Sequence, residues 1–127
     1  MKTTAPNLEE RVSVYGERVI EFCYSLSLDA VLDPLVRQFV RSATSIGANY
    51  CEADEAQSKK DFRHKIALCR KESRETKFWL RMIAKACPSQ RSLARELWTE
   101  AKELHLIFCA IIRTTDRNLK AEGKSAN

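Results

Sequence analysis

Residues Arg41 to Phe62 read RSATSIGANYCEADEAQSKKDF and open with six small side chains between positions 42 and 48. Serine, threonine and glycine are common in turns, so composition alone favours a loop here. Ile46 and Tyr50 nevertheless stand four residues apart, and Phe39 continues the apolar spacing upstream. This period predicts a helix whose small side chains allow other helices to approach it closely.

The composition indicates a single helical domain over residues 1–127. The chain has 127 residues, of which 44% are hydrophobic, enough for one substantial core. Its three glycines and three prolines are too few for the many turns of a β-sandwich or barrel. We therefore expect long helices with short connections.

Local signals divide the chain into four helical segments. Asn7 and Asp33 are predicted N-caps, with Pro34 at the first position of the second helix. Ser58 is the predicted cap of the third helix, which should end before Pro88. The predicted helices cover residues 8–27, 34–56, 59–86 and 89–118, and a frayed tail follows at 119–127.

Apolar residues repeat every three or four positions in each segment, which is the spacing of helix bundles. The seam of the fourth helix is Leu93, Leu97, Ala101, Leu104, Phe108 and Ile111. We predict an all-α, antiparallel up-down-up-down four-helix bundle.

Positive charge is concentrated in the third helix. Residues 59–86 contain ten basic and three acidic side chains, a net charge of +7, against +5 for the whole chain. Residues 1–58 contain five basic and nine acidic side chains, a net charge of −4. The basic segment is suited to an anion such as RNA, or to the acidic half of the same or a neighbouring chain.

Six basic residues of the third helix fall on one flank of the helical wheel, and we name them the basic stripe. The stripe is Arg63, Arg70, Arg74, Lys77, Arg81 and Lys85. One interpretation is a nucleic-acid-binding ridge that contacts phosphates, and the other is an ordinary solvated face. Few aromatic residues interrupt the stripe in sequence, so base stacking has little support.

Large apolar residues in the same helix exceed what one core can bury. Phe78 and Trp79 point away from the Leu80 side of the helix, and with Met82 they form the predicted oligomer interface. Such an exposed patch favours self-association, with the small-residue second helix as its receiver. The alternative is that the tail or the 27–33 connection covers the patch.

Polar residues lie in or beside the apolar seams. We expect Asn49, Glu52, Ser73 and Glu75 to form a buried hydrogen-bonded network that fixes helix register. A ligand or catalytic site in the bundle is the alternative.

The sequence contains no motif that predicts a cofactor, a metal or a catalytic centre. His64 and His105 both lack the Glu three residues earlier that di-iron bundles use. The five cysteines include no CxxC pair, and no apolar run of transmembrane length occurs. We expect reduced thiols in a cytoplasmic, non-enzymatic protein without a cofactor and without a membrane contact.

The stretch from Arg41 to Ile83 resembles the four helix bundle protein family, also called the 23S ribosomal RNA intervening-sequence proteins. The resemblance rests on RSATSIGAN, SKKDF and KESRETKFWL, in that order. It implies a bacterial, left-handed bundle that assembles as a ring-shaped homopentamer. A related protein of diversity-generating retroelements is also a pentamer and binds nucleic acid. The marked family positions are Arg41, Asn49, Glu52, Glu72, Glu75 and Trp79.

We therefore expect an oligomeric, non-enzymatic bundle whose basic stripe contacts RNA or a nucleoprotein. The first alternative is a structural or protein-interaction module, in which charge acts between subunits. The second is an enzyme that uses Glu52, Glu75 and a cysteine.

Overall fold

The computed structural model describes residues 7–126, and within them all regular structure is helical. The elements are α1 (Leu8–Tyr24), α2 (Leu32–Asp54), α3 (Lys59–Ala86), a 3-10 turn (Pro88–Gln90) and α4 (Arg91–Ala126). None of the helices within residues 7–126 combines the length and apolar character that crossing a bilayer requires.

The local capping signals explain where α1 and α3 begin. The Asn7 side chain accepts a hydrogen bond from the Glu9 backbone N–H at 2.9 Å. Ser58 Oγ accepts one from the Asp61 N–H at 3.0 Å, and α3 ends at Ala86, before Pro88. The predicted bounds of α3 are therefore confirmed, because both of its ends depend on adjacent residues.

The predicted start of α2 at Pro34, capped by Asp33, was wrong. Asp29 Oδ1 accepts hydrogen bonds from the backbone N–H groups of Val31 and Leu32 at 3.0 and 2.7 Å. This pair of bonds starts the helix two residues earlier and brings Leu32 into the core.

Two predicted helices are too long at their C-termini. Helix α1 ends at Tyr24 and not at residue 27. The next residue, Ser25, donates its backbone N–H to the Phe22 carbonyl at 3.0 Å, which closes the helix. Helix α2 ends at Asp54 and not at residue 56. Beyond Asp54 the backbone N–H groups bond to the carbonyl three residues earlier, as in a 3-10 turn, and this tightens the last turn.

The predicted frayed tail is instead helical as far as Ala126, and the last residue, 127, lies outside the described residues. Leu119 is partly buried, and Glu122 forms an ion pair with Lys59 at the start of α3. Helix α4 also begins at Arg91 and not at residue 89, because the 3-10 turn precedes it. The predicted seam residue Leu93 is exposed, and Ala94 takes the buried position.

Where two consecutive helices touch, residues near the start of one contact residues near the end of the other. Between α1 and α2 the contacts include Val12–Gly47 and Phe22–Phe39, and between α2 and α3 they include Ser42–Thr76 and Glu52–Lys65. Between α3 and α4 they include Lys77–Trp98 and Arg63–Asp116. Such reversed order is the pattern of antiparallel neighbours. Helix α3 forms large interfaces with both α2 and α4, so it lies between them.

The core is one contiguous cluster drawn from all four helices. Its largest fully buried side chains include Tyr15, Phe39 and Phe108. Tyr15 crosses from α1 to α4, where its hydroxyl donates to the Leu97 carbonyl at 2.8 Å. This bond satisfies a phenol whose pKa is raised by burial.

Candidate nucleic-acid interface

The basic stripe lies on the flank of α3 that faces α4 and solvent. At its N-terminal end, Arg63 is bound to Asp116 of α4 through two contacts of 2.5 and 3.1 Å. This pairing raises the pKa of Arg63 and lowers the pKa of the Asp116 carboxyl, and the hydrogen bond between them is the main cause of both shifts. Arg63 is therefore the member of the stripe least available to a phosphate.

The other five members of the stripe form no ion pair within residues 7–126. Each lies more than 4.0 Å from any carboxylate oxygen of those residues, although the charge of Arg70 still helps to lower the pKa of Asp116. Arg74, Arg81 and Lys85 are exposed, and Arg70 and Lys77 are half-buried. Five cations without an ion-pair partner in the described residues thus share one flank over about four turns.

The imidazole of His105 on α4 lies partly buried beside the stripe. Its pKa is lowered, first by burial and then by the charges of Lys77, Arg70 and Arg74. A cation is disfavoured there because the stripe already supplies positive charge. Cys109 Sγ lies 4.0 Å from either ring nitrogen, next to the same neutral imidazole.

An aromatic residue from α4 lies beside the stripe, which the sequence interpretation missed. The ammonium of Lys77 is 5.6 Å from the Trp98 ring centroid, and that of Lys102 is 5.7 Å away. Both distances are within the range of cation–π attraction. Trp98 is remote from the stripe in sequence, and only the pairing of α3 with α4 brings it there.

A groove of about 640 Å³ opens between α3 and α4 next to Trp98, and we name it the α3–α4 groove. Its floor is apolar and consists of Leu80, Ala84, Ala94 and Trp98. Its rim is basic and consists of Arg81, Lys85, Arg91 and Arg95. All four rim residues are exposed, so α4 extends the positive surface beyond the stripe.

The predicted buried polar network has different members in the structure. Glu52 is not buried: its side chain is 57% exposed and pairs with Lys65 at 2.8 Å. Asn49 is half-buried and donates to the Ser45 carbonyl of its own helix at 2.8 Å. Glu75 is likewise only half-buried. Of the four predicted members, Ser73 is fully buried.

The buried polar groups between α2 and α3 are Ser42, Glu72, Ser73 and Thr76. The hydroxyl oxygens of Ser42 and Thr76 lie 3.0 Å apart, and each is also near a carbonyl of its own helix. The carboxylate of Glu72 accepts hydrogen bonds from Arg41. These groups are satisfied within the chain, so the arrangement favours helix register over a ligand site.

The apolar patch predicted on α3 is at the surface. Phe78 is 52% exposed, and its ring meets that of Trp79 edge-on at 4.9 Å between centroids. Met82 and Trp79 are half-buried. The indole Nε1 of Trp79 is buried without a hydrogen-bond acceptor in the described part of the chain. Buried donors are normally paired, so this indole is an exception among the polar groups of residues 7–126.

No group of three or more His, Cys, Asp or Glu side chains in residues 7–126 is placed to hold a metal ion. The five cysteines are unpaired thiols. Burial raises the pKa of Cys23 to about 11 and that of Cys69 to about 12. These two thiols are therefore protonated and unreactive at neutral pH.

The fold defines a class of small all-α proteins in which four helices enclose one core across the described residues. A family model described as 23S rRNA-intervening sequence protein matches residues 15–109. The chain belongs to this family, as the resemblance between Arg41 and Ile83 predicted.

A solved structure supports the same assignment. The chain is 28% identical to a protein of unknown function from the S23 ribosomal protein family of Bacteroides thetaiotaomicron. The match has a TM-score of 0.74 and covers 84% of this chain and 98% of that chain. Among curated proteins, the comparison found no match.

Proposed function

We propose that this chain is a non-enzymatic, cytoplasmic bundle protein that contacts RNA or a nucleoprotein through the basic stripe of α3 and the adjoining rim of α4. One observation carries the proposal: five stripe residues have no carboxylate partner within residues 7–126, whereas Arg63 has one. Unneutralised cations aligned along a helix are suited to successive phosphates.

The alternative is a protein-interaction module, in which the same charges hold subunits together. The apolar patch of Phe78, Trp79 and Met82 favours self-association in either case, because the Phe78 ring is 52% exposed. We propose that the chain forms an up-down-up-down bundle and assembles as a homopentameric ring. The reversed order of contacts between neighbouring helices supports the bundle topology.

The test of the RNA proposal is a binding titration at several salt concentrations with the purified full-length protein. Changing Arg70, Arg74 and Arg81 to Gln should weaken binding to a short RNA and flatten its salt dependence. The matched control changes Arg37, Arg113 and Arg117 to Gln, because these three exposed arginines belong neither to the stripe nor to the rim of the α3–α4 groove.

Circular dichroism must first show that both triple variants retain their helices, because Arg70 is half-buried. Equal losses in the two variants would mean that net charge and not the stripe binds RNA. Absence of RNA binding by the native protein, together with salt-dependent oligomer mass, would favour the interaction module.

A further inference from the structure

The α3–α4 groove differs from a plain phosphate-binding ridge in having an apolar floor. Leu80 and Ala84 line it from α3, and Ala94 and Trp98 line it from α4. Phosphates alone gain nothing from such a floor. An unstacked base does, because its faces are apolar and stack on aromatic or aliphatic surfaces.

We propose that the α3–α4 groove accepts an unstacked base of single-stranded RNA, while the phosphates on either side of that base contact the basic rim. The inference rests on the proposed function and specifies the form of RNA that the stripe contacts. Duplex RNA keeps its bases stacked inside the helix, so it cannot use the floor.

The size of the groove fits this ligand. Its volume of about 640 Å³ lies within the range of small-molecule sites, about 300–1,000 Å³. The groove is open to solvent, so a strand can enter and leave it while one base lies inside. Arg81 and Lys85 from α3 and Arg91 and Arg95 from α4 all line the groove, so cations from both helices are available to the phosphates on either side of that base.

The cation–π contacts of Trp98 are weak enough for a base to replace one of them. The Trp98 ring attracts the ammoniums of Lys77 and Lys102 at 5.6 and 5.7 Å, and both lysines lack a carboxylate partner within residues 7–126. Cation–π contacts at partly exposed sites are weak. A base that stacks on Trp98 replaces one such contact, and the released ammonium is then available to a phosphate.

An acidic amphipathic helix of a protein partner fits the groove less well. Helix-in-groove recognition uses anchors spaced from i to i+7, which span about 10 Å. The α3 part of the floor extends only from Leu80 to Ala84, about 6 Å along the helix axis. The floor therefore matches one base better than a row of helical anchors.

The test compares a short single-stranded RNA with an abasic strand that carries the same phosphates, using the full-length protein. The RNA should bind about fivefold to a hundredfold more tightly than the abasic strand, which is the usual contribution of one stacked base. It should also quench tryptophan emission. Trp98→Leu should remove both the affinity difference and the quenching while the salt dependence remains.

Rim variants separate the charge contribution from the stacking contribution. Arg81→Gln combined with Arg95→Gln should lower the slope of log affinity against log salt by about 1.4 for both strands. The matched control, Arg37→Gln combined with Arg117→Gln, removes the same charge elsewhere and should leave that slope nearly unchanged. Circular dichroism checks the Trp98 variant, and the comparison of the two strands on native protein needs no variant.

Three outcomes would overturn the inference. Equal, salt-dependent binding of the two strands by native protein excludes base insertion and leaves the proposed function standing. Binding of neither strand overturns both. Binding of neither strand, combined with binding of a helical peptide that has a glutamate face and a leucine face, assigns the groove to a protein partner.

Discussion

Arg41 on α2 holds the buried carboxylate of Glu72 on α3 through two contacts of 3.3 and 3.4 Å. The Arg41 side chain is 50% exposed, whereas only 10% of the Glu72 side chain is. The arginine therefore spans the boundary between solvent and the α2–α3 interface. Its guanidinium also lies 3.7 Å from Glu75, so one cation serves two carboxylates on successive turns.

Removal of this cation should destabilise the chain. We expect Arg41→Ala to lower the free energy of unfolding by about 1–3 kcal/mol, because the Glu72 carboxylate stays buried without its partner. Arg37→Ala is the matched control: Arg37 is 77% exposed and, among residues 7–126, pairs only with Asp33 of its own helix, so a loss below about 0.5 kcal/mol is expected. Urea denaturation measures both, and equal losses would contradict the role of Arg41.

Contacts among residues 7–126 do not require the glycine of the small-residue segment. A Cβ at Gly47 would lie 3.6 Å from Val12 Cγ2, an ordinary contact, and one at Gly16 would meet no atom of the described residues within 4 Å. We expect Gly47→Ala and Gly16→Ala each to raise the free energy of unfolding by up to about 1 kcal/mol. Thermal denaturation measures both, and a destabilising Gly47→Ala beside a stabilising Gly16→Ala would contradict this expectation for Gly47.

The buried thiol of Cys69 should make stability fall in alkaline solution. Burial raises its pKa from 9.0 to about 12, so the folded chain keeps a proton that the unfolded chain loses. Its stabilising effect is complete below pH 9 and is lost as pH rises towards 12, at about 1.4 kcal/mol per pH unit. Cys69→Ala should reduce this slope in urea titrations, and Cys51→Ala, at an exposed site, should not.

If the curves of native protein and Cys69→Ala fall in parallel, the alkaline loss belongs to other groups. Cys23 and Tyr15 are the first of these, because burial raises the pKa of each.

The apolar patch on α3 should control oligomer mass. We expect Phe78→Ala combined with Trp79→Ala to lower the light-scattering mass, because the change removes the exposed Phe78 ring and the indole that it packs against. Leu106→Ala is the control, since Leu106 on α4 is 55% exposed against 52% for Phe78. A native-sized double variant would place the subunit contact elsewhere.

The ends of the helices could be predicted only where a neighbouring residue sets them. Ser58 and Pro88 bound α3 by local chemistry, so its limits follow from sequence. Asp29 and Asp33 are equally good caps by residue type, and burial of Leu32 favours the earlier one. The helical tail brings Glu122 to Lys59, and that contact depends on tertiary structure, which a signal local to the tail does not reveal.

In the candidate interface too, sequence predicted the features that one helix sets and missed those that depend on a second helix. Helical spacing placed the basic stripe on one flank, but it gave no sign that Asp116 neutralises Arg63 from another helix. Trp98 escaped notice because its partner Lys77 lies on a different helix. Glu52 was expected inside and Glu72 was not, because a wheel for one helix does not show how the second helix covers its edges.

The unequal helix interfaces imply an order of opening. Helix α3 has large interfaces with α2 and α4, whereas α1 rests mainly on α2 and meets α4 over a short span around Tyr15. If α1 detaches, the α2–α3 and α3–α4 interfaces remain intact. The backbone amides of α1 should therefore exchange hydrogen for deuterium before those of α3. Local unfolding of α1 would then leave the basic stripe in place on the remaining three helices.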